Sequence, residues 1–167
     1  MKQDTIAAIA TAPGQGGVAI VRISGEDAAR MLSQGFQSGR FQPPYESHKL
    51  MYGHVVDGGE VVDECMAVYM AAPRTYTRED VCEIHTHGGS TAAALTMKLL
   101  IRHGARPAEA GEFTRRAFLN GRIDLSQAEA VMALISAQGE RAHQAAMQQL
   151  QGGALLGLGN FNSHAHE

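Results

Sequence analysis

The spacing of apolar residues changes near residue 88, and that change limits what this chain can fold into. Before it, "VAIVRIS" (18–24) is rich in β-branched residues, and "VCEIHTH" (81–87) alternates its chemistry at every second position, which predicts strands. After it, Ala93, Met97, Leu100 and Ile101, then Ala128, Val131, Met132 and Ile135, follow helical spacing. Residues 6–10, 49–56 and 61–70 read as further strands, the last two joined through the turn "DGGE". One early helix, "GEDAARMLSQGF", interrupts them, while "GEFTRRAFLNG" and "SQAEAVMALISAQGERAHQAAMQQL" read as later ones. Ser126 and Glu129 fit a capping box at the start of the last helix, with Asp124 a rival cap.

Strands with intervening helices, followed by helices alone, predict an α+β fold: a mixed or antiparallel sheet with flanking helices. We expect an α+β domain over 1–118, the start of a helical domain over 119–152, and a divergent tail without a helical period over 153–167. With 44% hydrophobic and 19% charged residues, the 167-residue chain can bury a core without disulfides and is not disordered wholesale. A net charge of −3 argues against gripping nucleic acid by bulk charge. No segment approaches the roughly 18 apolar residues of a membrane span, so no membrane association and a cytoplasmic setting are expected. Cys65 and Cys82 form no CxxC motif and read as buried thiols.

The chemistry concentrates in three places. In "VCEIHTHGG", Cys82, Ile84 and Thr86 share one strand face, while Glu83, His85 and His87 share the other. That polar face fits a metal site, a solvated edge or an organic ligand pocket. The metal alternative is a small hydrolase using Glu83, His85 and His87 as zinc ligands. Arg22 sits inside an apolar strand, where a guanidinium is costly unless a carboxylate or ligand meets it. It either pairs with Glu83 to knit two strands or joins it in gripping a polar ligand. In "EFTRRAFLNGRIDLSQAEA", Arg122 lies on a Gly-bearing turn between helices, placed to reach a cleft or simply to meet solvent. "GQGG" (14–17) precedes a strand rather than a helix, so it reads as a turn of positive-φ glycines, and no GxxxxGK[ST] occurs in the chain.

The segments "DTIAAIATAPGQGGVAIVRISG", "EDVCEIHTHGG", "RPAEAGEFTRRAFLNGRIDLSQAEAV" and "LQGG" resemble, in order and spacing, the N-terminal part of the MnmE (TrmE) tRNA-modification GTPase family. The resemblance implies a fold similar to the tetrahydrofolate-binding domain of the glycine-cleavage T-protein, dimerisation, and binding of 5-formyl- or 5,10-methylene-tetrahydrofolate. It carries the folate contacts onto Arg22, Glu83 and Arg122, with His87 shaping the pocket wall. It also implies tRNA and a flavin-dependent partner, MnmG (GidA), with folate supplying the carbon added at C5 of the wobble uridine. The family often has lysine where this chain has Arg122. The G domain and the C-terminal cysteine motif of the family have no counterpart in this sequence, so catalysis by this chain alone is not expected. A non-catalytic dimerisation fragment is the remaining alternative.

Overall fold

The computed structural model describes residues 3–11 and 16–161, with side chains described as far as 151. Its elements are β1 (Ile6–Ile9), β2 (Val18–Ser24), α1 (Ala28–Gly35), β3 (Phe36–Gln37), β4 (Lys49–Asp57), β5 (Glu60–Met70), β6 (Val81–His87), α2 (Ser90–Arg102), β7 (Arg106–Pro107), α3 (Glu112–Leu119) and α4 (Leu125–Phe161). The strands form one mixed sheet in the order β3-β4-β5-β6-β2-β1-β7, antiparallel except for the β1–β7 pair. The fold is therefore α+β, as the change of period predicts. The two-residue strands β3 and β7 escape sequence reading because two residues carry no period.

Alternation within each strand decides what the sheet buries. Ala7, Ala19, Val21, Ile23, Ala67, Cys82 and Ile84 point to one face and meet Ala28, Met31 and Leu32 of α1 and Ala93, Leu99 and Leu100 of α2. Each fully buried side chain of the size of Ile84 or Leu100 contributes about 1.5–3 kcal/mol by leaving water. Both cysteines are free and buried in this layer. Burial is the main cause that raises their pKa values, that of Cys65 to about 12, so they behave as small apolar residues.

Two glycines hold the site's frame through close backbone approach. A Cβ on Gly25 would lie 2.4 Å from Thr5 Oγ1, the atom that accepts the N–H of Asp27 at the start of α1. On Gly88 a Cβ would fall 1.4 Å from the carbonyl oxygen of Gly16, whose segment crosses directly over the end of β6. Gly17 does not have positive φ, which corrects the turn reading at that position, and a Cβ there would meet nothing within 4 Å, so the close approach constrains Gly88 rather than Gly17. Gly14 and Gln15 lie outside the described residues.

The chain divides into two units, 1–124 and 125–167. The second is α4, which begins at Leu125, so Asp124 rather than Ser126 occupies the cap position. The helix continues to Phe161. The segment from 153 that reads as without a helical period is helical as far as residue 161. The remainder of that tail lies outside the described residues. Among the described residues no helix is long and apolar enough to cross a membrane.

Candidate functional site

β2 and β6 are adjacent and antiparallel, with Arg22 directly opposite Glu83 and Ile20 opposite His85. Opposed residues send their side chains to the same face, and here it is the face turned away from α1 and α2. Arg22 Nε donates to Glu83 Oε2 at 2.8 Å, and Nη2 completes the ion pair at the same distance from that oxygen. His85 Nε2 lies 3.0 Å from the other oxygen, Oε1. The Phe113 ring of α3 sits against the guanidinium, with its centroid 5.9 Å from Arg22 Cζ, within cation–π range.

The pair is neither sunk in the core nor free in water: side-chain exposure is 32% for Arg22 and 15% for Glu83. Burial pushes the Glu83 pKa up, but hydrogen bonds from His85 and Arg22 outweigh it and hold the group below the usual glutamate range. Glu83 is thus an ionised acceptor at neutral pH. A carboxylate offers about four acceptor positions. The hydrogen bonds of Arg22 and, when it donates, His85 use two of them, and turning His85 aside frees a third.

Beside this group a cavity of about 330 Å³ opens among Val18, Tyr52, Glu64, Met66, His85 and His87, within the usual size range for small-ligand sites. His85 belongs to both, touching Glu83 and lining the cavity. Tyr52 is held above its usual pKa chiefly by its hydrogen bond to Glu64. His87 stands apart from the Arg22–Glu83 pair. Its Nδ1 lies 2.9 Å from Asp63 Oδ1 and its backbone N–H donates to Asp63 Oδ2 at 2.8 Å. Glu83, His85 and His87 therefore do not converge, and among the described residues no group of three potential ligands could hold a metal ion. The zinc-hydrolase alternative loses its site.

Arg122 follows α3 on a turn closed by its own N–H, which donates to the Ala117 carbonyl at 2.8 Å. Its side chain is exposed and makes no ion pair among the described residues. It is not part of the Arg22–Glu83 contact.

A family model described as "GTP-binding protein TrmE N-terminus" matches residues 5–122, which include Arg22, Glu83 and Arg122. This chain belongs to that family. It is 57% identical over 153 residues to the tRNA modification GTPase MnmE of Synechococcus sp., covering 89% of this chain and 33% of that protein. The protein of the same name from Listeria welshimeri is 53% identical over 152 residues, 91% of this chain and 33% of the relative. The one from Finegoldia magna is 52% identical over 149 residues, 89% and 33%. The chain thus spans about a third of the length of the relatives it matches.

Within this TrmE-type domain, two residues gain importance from the structure. Phe113 was visible in the sequence only as an apolar neighbour of arginines, and nothing in its spacing pointed to Arg22, 91 positions away. Arg116 is the other. It is 2% exposed and ties α3 to the rest of the unit through Asp4 and Glu79 at 3.0 and 3.2 Å, and it meets Glu112 of its own helix at 3.3 Å. Ser24, at the end of β2, donates to the same Glu79 at 2.8 Å. This scaffold fixes the helix that carries Phe113. The signal available in the sequence was the pair "RR" (115–116) on a short amphipathic helix, which implies that one arginine faces inward.

Proposed function

We propose that this chain is the tetrahydrofolate-binding, dimer-forming module of a tRNA wobble-uridine modification GTPase. The observation that carries the reading is the half-buried Arg22–Glu83 pair, aligned in register on neighbouring strands and retaining acceptor capacity on Glu83. A reduced pterin presents an N–H beside an exocyclic NH₂, which one carboxylate accepts together. Glu83 would hold that edge, Arg22 would keep Glu83 ionised and oriented, and Phe113 would wall the guanidinium side. Arg122, a cation without a carboxylate partner among the described residues, suits the anionic glutamate end. His87 shapes the neighbouring cavity wall. The one-carbon tetrahydrofolate supplies the carbon for the C5 substituent of the uridine, and the protein supplies binding and orientation.

Dimerisation has separate support. The face that bears Glu83 also carries Val18, Leu50 and Tyr52, which remain about half exposed, and exposed apolar surface of this kind favours association. In the intact protein, GTP hydrolysis, tRNA and the flavin-dependent partner complete the cytoplasmic reaction.

Titration of the purified chain with 5-formyltetrahydrofolate, alongside a solution mass measurement, tests the reading. Saturable binding by a dimer is expected. A folded dimer that ignores millimolar folate would instead be a dimerisation fragment with a dead pocket.

A further inference from the structure

The loop between β5 and β6 and the turn after α3 clasp one another. Asn120 Nδ2 donates to the Thr77 carbonyl at 2.7 Å, and Arg78 Nη1 donates back to the Asn120 carbonyl at 3.2 Å. The Arg78 guanidinium lies close against Gly121, 3.4 Å from where a Cβ would stand. Gly121 has φ 76° and so takes the left-handed conformation open to glycine. Arg78 has φ 59°, a conformation that residues with side chains rarely adopt. It is held there by its neighbours: buried Thr77 bonds to Ser24, and Glu79 is bound by Arg116. The Arg78 guanidinium thus lies against the residue that precedes Arg122.

Their electrostatic state sets them apart. Arg22, Arg106, Arg115 and Arg116 each meet a carboxylate. Arg78 and Arg122 have no ion pair among the described residues and both are exposed. One hydrogen bond to Asn120 leaves most of the five donors of Arg78 open. Arg40 and Arg74 also lack carboxylates among the described residues, but neither bonds to the turn that carries Arg122, as Arg78 does. The turn lies at the far end of α3 from Phe113, about 9 Å along the helix at 1.5 Å per residue. It is therefore removed from the pterin end of the site but reached by the same helix.

We infer that Arg78 and Arg122 together form a subsite for a ligand tail bearing more than one carboxylate, so that the site prefers reduced folates extended by γ-linked glutamates. The inference rests on the folate reading above, and goes beyond it in assigning Arg78 and in predicting a dependence on tail length. Arg122 meets the first tail carboxylate, and Arg78 provides the cation for the next.

The test compares 5-formyltetrahydrofolate carrying one glutamate with its triglutamate, by calorimetry on the 167-residue chain at low salt. The triglutamate should bind roughly three- to fivefold more tightly, the range of one screened surface pair, and the gap should shrink as salt is added. Arg78→Gln, whose amide can still reach the Asn120 carbonyl, should bring the ratio close to one, while Arg78→Lys should retain much of it. Equal affinities in the parent chain overturn the inference and leave the folate site standing. Absence of binding by both folates removes the site and the inference together. Should Arg78→Lys lose the preference as fully as Arg78→Gln, Arg78 is a prop for the turn and its charge has no such role. If Arg78→Gln weakens tRNA binding and leaves the folate ratio intact, the two arginines belong to a nucleic-acid surface and the inference is wrong.

Discussion

The first unit contains two arginine–carboxylate assemblies that differ in what is left over. Around Arg116, three carboxylates and Arg106 form a network in which Arg116 and Glu112 are each 2% exposed. Nearly every polar atom there is engaged, although Arg116 Nε is buried without a hydrogen bond. At the Arg22–Glu83 pair, one cation meets one anion at the edge of solvent, beside a cavity, with acceptor positions to spare. Saturated charges inside the protein hold elements in place, and replacing one partner leaves another uncompensated. Charges with open valence at a surface recess are available to a ligand. The contrast separates scaffold from site without reference to any relative.

The comparison breaks most visibly if the scaffold proves dispensable. Arg116→Met should cost about 3–5 kcal/mol, because Glu79 and Glu112 lose their buried counter-charge; denaturant unfolding measures it. Acid should act on the same network. Arg106 and the Glu109 N–H outweigh desolvation and hold Glu112 at about 2, against an ordinary value of 4.5. A lowered carboxylate pKa stabilises the fold fully above the ordinary value and loses that contribution as pH falls through the lowered one. Roughly 3 kcal/mol should therefore disappear between pH 4.5 and about 2, and Glu112→Gln should flatten that part of the stability profile.

The site should respond in the opposite way. Glu83→Gln should leave stability within about 1 kcal/mol, as is usual for a partly exposed pair. It should weaken folate by about tenfold or more, since a charged acceptor becomes half a donor. Phe113→Leu should have the smallest effect, a two- to fivefold loss of affinity from roughly 0.5–1 kcal/mol of cation–π contact, with little change in folding.

Much of this was legible in the sequence. The period-two strands placed Glu83 and His85 on one face and Arg22 among apolar neighbours, and strand alternation alone anticipated that an arginine there needs a partner. Glu83 reads as that partner, and the structure bears the contact out; the residue-for-residue β2–β6 register was hidden, because it depends on sheet order, which local pattern does not encode. The separation of His87 from the group was also hidden, because it follows from Asp63 on β5 claiming its ring. Arg78 carried no signal at all: its left-handed backbone is imposed by the Thr77 and Glu79 contacts on either side, and both partners are distant in sequence.

The most direct measurement is a crystal structure of this chain with 5-formyltetrahydrofolate bound. The account predicts the pyrimidine edge of the pterin within hydrogen-bond distance of Glu83, His85 turned off Oε1, and the ring adjoining Phe113. Density for the ligand elsewhere in the unit, with the Arg22–Glu83–His85 contacts undisturbed, would contradict it.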